Sequence, residues 1–210
     1  MKLYTFPPAP NPRRLTIFLN EKGIVLDSQL VDLRAGEQFQ PEFLAINPCG
    51  TVPTLVLDDG SVLTEVIGIY SYLEELHPDN PLMGVDPLSR AQIISWDHRC
   101  FVEGFQAVAE TLRNANKAFA GHALPGQVAY EQIPELTERG RRRIHAFYRV
   151  LDEQLANRSF MVGEQFSIAD IAAWVFVNFS GWVKETVPDD CAHLKHWYQT
   201  ISERSSIQSL

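Results

Sequence analysis

The first third of the chain alternates between the residue spacings of strands and of helices. Lys2–Phe6 is predicted to be a strand, which the prolines directly after it bring to an end. Asn11–Lys22 is predicted to be a helix, because its apolar residues recur at helical spacing and Gly23 follows as a helix-ending residue. A second strand is predicted over Gln29–Leu33 and a loose helical turn over Gly36–Ile46. This part of the chain therefore indicates the order β-α-β-α.

A hairpin and a further helix follow. Thr54–Leu57 and Ser61–Leu63 are predicted strands, because the Asp58-Asp59-Gly60 segment between them is a strong turn signal in which glycine supplies a positive φ. Glu65–Leu76 returns to helical spacing, with its apolar residues on one stripe. The predicted order of elements is therefore β-α-β-α-β-β-α.

Residues 78–87 separate two parts of different character. This segment contains three prolines and one glycine, which interrupt regular structure. Strand signals nearly vanish after it. We therefore expect an α/β domain over residues 1–77, a linker over residues 78–87 and an all-helical domain over residues 88–210.

Two long amphipathic helices and one buried helix are predicted after the linker. The amphipathic helices are Ser89–Phe119 and Ile133–Leu155. Ser167 and Asp170 have the spacing of a capping box, which begins a helix. The run Ile168–Val183 is apolar on nearly every face. Because a helix that is apolar all round is buried, we expect this run to form the centre of the helical domain.

Composition and charge narrow the class of protein. Hydrophobic residues make up 45% and charged residues 21% of the 210 residues, as in ordinary globular proteins. The 26 acidic residues outnumber the 18 basic ones and leave a net charge of −8, which argues against binding to nucleic-acid phosphates. No apolar run approaches the roughly 18–20 residues that span a bilayer. The first residues also lack the apolar stretch of a signal peptide.

The cysteines are few and scattered. Cys49, Cys100 and Cys191 show neither the spacing of a metal site nor that of a disulfide framework. Reduced thiols of this kind are typical of the cytoplasm. We therefore expect a cytoplasmic protein with no metal, no nucleic-acid partner and no membrane partner.

The segment around Asn11 is the first candidate site. Asparagine is a favoured N-cap and Pro12 suits the first helical position, so Asn11 has a purely structural interpretation as the residue that starts the helix. The functional alternative is that free N–H groups at this helix N-terminus bind an anion. Arg13 and Arg14 add positive charge nearby. The local pattern leaves both interpretations open.

The second candidate site lies between Asn47 and Pro53. Proline has no N–H to donate to a sheet, so Pro53 belongs at the first residue or the edge of a strand. A cis peptide bond before Pro53 is one available geometry. Val52 then exposes its own N–H and C=O, along which an extended peptide can pair as an added strand.

The third candidate site is Glu65 at the start of a predicted helix. A carboxylate at that place is stabilised by the helix dipole, by about 0.3–1 kcal/mol, which is a sufficient structural role. The alternative is that Glu65 binds an ammonium group while the helix N–H groups bind a carboxylate. That pairing of opposite charges suits the α-amino-acid end of a ligand.

Taken together, these motifs resemble those of the cytosolic glutathione transferases. The likeness rests on Asn47–Pro53, on Glu65 twelve residues later at a helix start, and on the Ser167–Asp170 box. It covers the whole chain and implies a thioredoxin-like N-terminal domain followed by an all-helical domain. Phe6–Asn11 and Gly36–Phe39 are similar to segments of the bacterial nu class and of related classes.

The resemblance implies a role for each candidate residue in binding glutathione. Val52 pairs its backbone with the cysteinyl unit, and Pro53 is cis. Glu65 holds the γ-glutamyl ammonium group, and the Val66 N–H holds the carboxylate of the same unit.

Three more residues receive roles from the resemblance. Gln38 and Thr51 occupy places that contact the glycyl end or the nearby backbone. Asn11 occupies the place of the residue that donates a hydrogen bond to the glutathione thiolate, and it is the implied catalytic residue.

The resemblance also implies an activity and an assembly. Glutathione is the co-substrate, and its thiolate attacks a small hydrophobic electrophile in a detoxifying transfer. The resemblance also implies a homodimer. Two alternatives stay open, namely a glutathione-dependent disulfide reductase and a non-catalytic glutathione-binding or scaffold relative.

Two departures from the family pattern bear on the site. The usual serine after the glutamate is Val66, which removes one hydroxyl hydrogen bond to a carboxylate. Such a bond is worth about 1.5–3 kcal/mol, so weaker glutathione binding is expected. Position 9, which carries a hydroxyl in some relatives, is Ala9. Asn11 is then left as the candidate donor, and an amide donates but does not act as a base.

Overall fold

The computed structural model describes all 210 residues, and the chain forms two compact units. The first unit comprises Met1–Asn80 together with Pro125–Ala129 and the terminal Leu210. The second comprises Pro81–Leu124 and Tyr130–Ser209.

The first unit is a four-stranded sheet with three helices. Its strands and helices follow the predicted order β-α-β-α-β-β-α. They are β1 (Lys2–Thr5), α1 (Pro10–Lys22), β2 (Asp27–Leu30), a 3₁₀ turn (Glu37–Phe39), α2 (Pro41–Leu44), β3 (Thr54–Val56), β4 (Val62–Leu63) and α3 (Val66–Leu76).

The sheet has the strand order β2-β1-β3-β4. β1 and β2 run parallel, whereas β3 pairs antiparallel with both β1 and β4. The register places Tyr4 opposite Thr54 and Leu55 opposite Leu63. The end of β1, the start of β3 and the end of β4 therefore meet at one edge of the sheet.

Helices α1 and α3 pack together through an aromatic contact and an ion pair. The rings of Phe18 and Tyr70 are stacked with centroids 4.6 Å apart, and both residues are fully buried. One helical turn further on, Lys22 Nζ lies 2.6 Å from a Glu74 carboxylate oxygen. Lys22 Nζ also donates to the carbonyl of His77, 2.8 Å away, just after α3 ends. A lysine near the C-terminus of a helix is favoured there by the helix dipole.

Several predicted boundaries in the first unit are wrong by one or more residues. The second strand lies at Asp27–Leu30 rather than Gln29–Leu33, because its pairing with β1 sets its bounds. Helix α1 begins at Pro10 with Ala9 as its N-cap, so Asn11 does not start the helix. Pro10 itself takes the first helical position, which its fixed φ favours.

The second unit is entirely helical apart from one isolated bridge between His122 and Tyr130. Its α-helices are α4 (Pro87–Arg99), α5 (Gln106–Ala115), α6 (Glu135–Leu155), α7 (Ile168–Ser180), α8 (Ala192–Ser202) and α9 (Ser205–Gln208). None of the helices in the chain is both long and apolar enough to cross a bilayer.

The single helix predicted over residues 89–119 is interrupted. A π-helical segment, Cys100–Phe105, separates α4 from α5, and a 3₁₀ turn follows α5 at Lys117–Phe119. Within the π segment, the carbonyl of Val102 accepts a hydrogen bond of 2.6 Å from Arg143 Nη2 on α6. This side-chain bond is a long-range contact that the helical spacing does not report.

The prediction of a buried helix over Ile168–Val183 is confirmed for α7, but its end is wrong, because Gly181–Val183 form a 3₁₀ turn in which Trp182 is 48% exposed. Every residue of α7 except Asn178 is buried. The Asp170 carboxylate accepts the Ser167 N–H at 3.0 Å, as the capping box requires, and also the Met161 N–H at 2.8 Å. Burial raises the pKa of Asp170 to about 7, against the opposing effect of these hydrogen bonds.

Candidate functional site

All the residues proposed for glutathione belong to the first unit of the chain. Three of them follow from the sheet topology. Val52 comes just before β3, Glu65 just after β4, and α1 starts after the loop that leaves β1. The sheet therefore brings these three segments to the same edge.

Val52 offers an unused peptide group at this edge. The bond between Val52 and Pro53 is cis. Val52 is half-buried, and its N–H and C=O make no hydrogen bond within the chain. Val52 lies in a bend two residues before β3 begins, so the sheet does not use this peptide group. It can pair with an extended peptide in the manner of an added strand.

Asn47 holds the loop that carries Val52. Its side chain is buried, at 1% exposure, and its Nδ2 donates to the Thr51 carbonyl at 2.9 Å and to Thr54 Oγ1 at 3.0 Å. Its Oδ1 accepts the N–H of Cys49 at 3.0 Å. From the sequence, Asn47 is expected only to lie in a turn. Its position directly before Pro48 is the one sequence signal that singles it out. Its role is to set the shape of the loop.

Thr51 and Gln38 lie on either side of Gly50. Gly50 has φ +61°, and a Cβ there would lie 3.1 Å from the Gln38 carbonyl oxygen. Glycine therefore allows the turn at Glu37–Phe39 to approach the loop closely. The Gln38 Oε1 is buried without a hydrogen-bond partner, whereas Thr51 Oγ1 accepts from Asn47 Nδ2 at 3.2 Å. Gln38 is thus the more available of the two for a ligand.

Glu65 has a backbone conformation that residues other than glycine rarely adopt. Its φ is 41°, in the left-handed region, and it is the N-cap of α3. A non-glycine residue in this region costs of order 1–3 kcal/mol and is often found at functional sites. The Glu65 carboxylate is exposed and has no partner within the chain.

The first N–H groups of α3 complete this part of the site. The N–H groups of Gly68 and Ile69 bond to the Glu65 carbonyl at 3.0 and 3.2 Å. Those of Val66 and Ile67 have no acceptor within the chain, as is normal in the first helical turn. The Glu65 carboxylate and two free N–H groups are therefore neighbours at the start of α3. The carboxylate favours a positively charged ligand group, and the N–H groups favour a negatively charged one.

The start of α1 offers fewer N–H groups than the sequence led us to expect. Pro10 and Pro12 have no N–H, and the Arg13 N–H bonds to the Ala9 carbonyl at 2.9 Å. The backbone donor left in this turn is the N–H of Asn11. Since Ala9 caps the helix without a side-chain hydrogen bond, no side chain of the cap residue blocks this end.

The side chain of Asn11 supplies a second donor. Its Oδ1 accepts a hydrogen bond of 3.2 Å from Arg14 Nη1, and its Nδ2 has no partner within the chain. Asn11 is half-buried and sits at the second position of α1. It thus presents both a backbone and a side-chain N–H, which is a suitable arrangement for an anion.

The sequence matches a known family over most of its length. The profile described as Glutathione S-transferase, N-terminal domain, matches residues 9–76, and the one described as Glutathione S-transferase, C-terminal domain, matches residues 91–205. The chain belongs to the glutathione S-transferase family.

Relatives within this family have names that point to different activities. Glutathione S-transferase 2 of Saccharomyces cerevisiae is 33% identical over 216 residues, covering 100% of this chain and 89% of that protein. Disulfide-bond oxidoreductase YfcG of Escherichia coli is 32% identical over 210 residues, covering 95% of this chain and 89% of that protein.

Solved structures agree on the fold. A glutathione S-transferase domain-containing protein of Marinobacter aquaeolei has a TM-score of 0.90 at 30% identity, covering 99% of this chain and 100% of the other. Together with the four-stranded mixed sheet and the helical second unit, this likeness confirms the predicted thioredoxin-like and all-helical architecture.

Proposed function

We propose that this protein is a glutathione transferase whose site lies at the sheet edge formed by Asn11, Val52 and Glu65. The observation that carries the proposal is the free peptide group of Val52. Two further features support it, namely the Glu65 carboxylate beside free N–H groups at the start of α3 and the two free N–H donors of Asn11. In this arrangement the cysteinyl unit of glutathione pairs with Val52. Its γ-glutamyl ammonium group meets Glu65, and the carboxylate of that unit meets the Val66 N–H.

Gln38 and Thr51 are proposed to contact the glycyl end. The buried, unpartnered Oε1 of Gln38 supports this assignment, because an unsatisfied buried acceptor is costly until a ligand donates to it. Thr51 contributes through the loop that Asn47 holds, since its carbonyl and hydroxyl oxygens are already engaged there.

Asn11 is proposed to stabilise the glutathione thiolate. A free thiol has a pKa of about 8.5. One hydrogen bond to a charged group is worth about 1.5–3 kcal/mol, and this lowers a pKa by roughly one to two units. The thiol proton is lost to solvent, because a neutral amide donates but does not take up a proton. The site thereby makes a useful fraction of glutathione anionic near neutral pH.

The thiolate then attacks a hydrophobic electrophile. A sulfur–carbon bond forms while the leaving group departs with its bonding electron pair, and the product is a glutathione thioether. The second candidate is disulfide reduction, which the name of the Escherichia coli relative favours. There the same thiolate attacks one sulfur of a disulfide, the S–S bond breaks, and the other sulfur leaves as a thiolate. The thiolate of a second glutathione then attacks the mixed disulfide, which gives oxidised glutathione and releases the second thiol of the substrate.

We also propose that the protein is a homodimer. The start of the second unit carries apolar side chains in contact with solvent, with Val85 75% and Leu88 67% exposed. Exposed apolar side chains that adjoin in this way are compatible with a protein–protein interface. It supports an assembly of two copies through α4.

Substitution of Asn11 tests the proposed function. Asn11→Ala is expected to raise the pKa of bound glutathione by about one unit, because the side-chain donor is lost while the backbone N–H remains. Asn11→Asp is expected to raise it further, since a carboxylate repels the thiolate. The measurement is a pH titration of thiolate absorbance, with conjugation of a chloronitroaromatic substrate followed in parallel.

Asn20→Ala is the matched control, because Asn20 lies on the exposed far end of the same helix. An unchanged thiol pKa in Asn11→Ala would remove Asn11 from the mechanism. Retention on a glutathione column without turnover of either an electrophile or a disulfide would point to a binding protein. Failure to be retained would contradict the proposed site as a whole.

A further inference from the structure

Arg14 contacts Asn11, the proposed thiolate donor, from the next turn of α1. It is one helical turn after Asn11 on α1, and it is buried, at 3% exposure. The sequence leads us to expect only general positive charge from this residue. Instead, its Nη1 donates a hydrogen bond of 3.2 Å to the Oδ1 of Asn11.

This hydrogen bond fixes which end of the Asn11 amide faces outward. A guanidinium group donates and never accepts, so the atom bonded to Arg14 has to be the amide oxygen. The amide nitrogen is then turned to the opposite side, where it has no partner within the chain. An amide without this bond is free to flip and to present its oxygen, which would repel a thiolate instead of stabilising it.

The arginine is itself held by the core between α1 and α3. Its Cζ lies 5.9 Å from the centre of the Tyr70 ring. Tyr70 is fully buried and stacks on Phe18. A packed aromatic platform of this kind keeps a guanidinium group in one orientation through cation–π attraction and contact area. The orientation of Asn11 is therefore set by the α1–α3 core rather than by the surface of the site.

We propose that Arg14 is a positioning residue for catalysis, which orients the Asn11 amide so that its nitrogen faces the glutathione sulfur. This proposal rests on the proposed function. It predicts that the effect of Arg14 on the bound thiol passes through Asn11, and that the N–H donor matters more than the charge.

A double-mutant cycle tests this assignment. Arg14→Met removes the donor, and Arg14→Gln keeps an N–H donor without the charge. Each is made alone and together with Asn11→Ala. The readouts are the pKa of bound glutathione from thiolate absorbance, kcat and KM with a chloronitroaromatic substrate, and the thermal midpoint of unfolding.

Arg14→Met is expected to raise the thiol pKa by about one unit, which is a tenfold loss of thiolate below that pKa. It is expected to lower kcat by a similar factor with little change in the KM for glutathione, since binding contacts at Val52 and Glu65 are untouched. In the Asn11→Ala background, Arg14→Met is expected to add nothing, because coupled residues are not additive. Arg14→Gln is expected to keep a pKa close to that of the wild type.

Three results would overturn the assignment. The first is an unchanged thiol pKa in a folded Arg14→Met protein. The second is an equal rise of the pKa with and without Asn11, which would mean that the charge acts directly. The third is an Arg14→Gln protein in which the pKa of bound glutathione is raised as far as in Asn11→Ala. This comparison also tests the role of Arg14 if Arg14→Met does not fold. A wild-type protein that binds glutathione without any thiolate absorbance would overturn the proposed function as well.

Discussion

At the scale of single residues, Val66 has its side chain in the core and its backbone N–H at the proposed site. Its N–H is free at the start of α3, whereas its side chain is buried, at 3% exposure. The family pattern has a hydroxyl at this place. Here the side chain is part of the hydrophobic core, so the chain has more buried apolar surface and one hydroxyl fewer at the proposed site.

Val66→Ser is expected to separate these two effects. The hydroxyl adds a hydrogen bond to the ligand carboxylate, which strengthens glutathione binding by about tenfold or more. The loss of buried apolar surface lowers the free energy of unfolding by about 1–2 kcal/mol. Titration calorimetry and urea unfolding measure the two quantities. Tighter binding by the wild type than by the serine variant, or a sub-micromolar Kd in the wild type, would contradict this expectation.

Residues of the site differ in how well the sequence reports them. Val52, Pro53 and Glu65 stand in local patterns, because a proline at a strand start and an acid at a helix start have their effects within a few residues. The interaction of Arg14 with Asn11 also has local spacing, but its orientation depends on Tyr70 across the α1–α3 interface. That part of the site was therefore beyond prediction from the sequence.

At the scale of elements, the contact between α5 and α6 depends on the absence of a side chain. A Cβ at Gly140 on α6 would lie 2.3 Å from Thr111 Oγ1 and 2.7 Å from the Ala107 carbonyl oxygen on α5. The second of these atoms belongs to the backbone of a helix, so it cannot rotate away. Gly140 therefore sets how closely the two helices approach.

Gly140→Ala is expected to destabilise the protein by about 1–2 kcal/mol, since overpacking outweighs the better helix propensity of alanine. Gly68→Ala on α3 is the matched control, because nothing lies within 4 Å of a Cβ at that position. The control is expected to gain up to about 1 kcal/mol. Urea unfolding measures both changes, and the same sign for the two variants would refute the packing argument.

Helical spacing predicts the helices of the second unit better than their interruptions. The π-helical segment at Cys100–Phe105 includes Gly104, where a Cβ would lie 2.8 Å from the Phe176 ring of α7. Close packing of this kind joins residues 72 positions apart in sequence, so periodicity within one window does not detect it. The chain stays helical from Pro87 to Ala115, so the predicted single helix misses the π segment within it and the helix end at Ala115.

At the scale of the whole molecule, the buried carboxyl of Asp170 links folding to pH. Its pKa is about 7 in the folded protein, against an ordinary value of 3.8, so the folded state binds more protons than the unfolded state between these two values. The contribution of this group to stability is therefore fully present below the ordinary pKa. It is lost as the pH rises through about 7.

Comparison with Asp170→Asn isolates this effect. The free energy of unfolding of the wild type minus that of the variant is expected to be larger at about pH 6 than at about pH 8.5, because asparagine does not titrate. Asp86→Asn is the control, since the pKa of this exposed capping residue of α4 is lowered by its bonds to Ser89 and does not fall in the tested range. A difference that stays constant or grows with pH would contradict the assignment.

The sequence by itself determined the order of strands and helices, the buried nature of α7, and the places of Pro53 before a strand and of Glu65 before a helix. These features depend on residue spacing and on backbone preferences, which act between near neighbours. Only the tertiary structure decided that Ala9 caps α1, that Asp170 binds the distant Met161 N–H and that Arg14 is buried against Tyr70. Those contacts arise when separate elements pack together, and packing distances are not encoded in any single window of the chain.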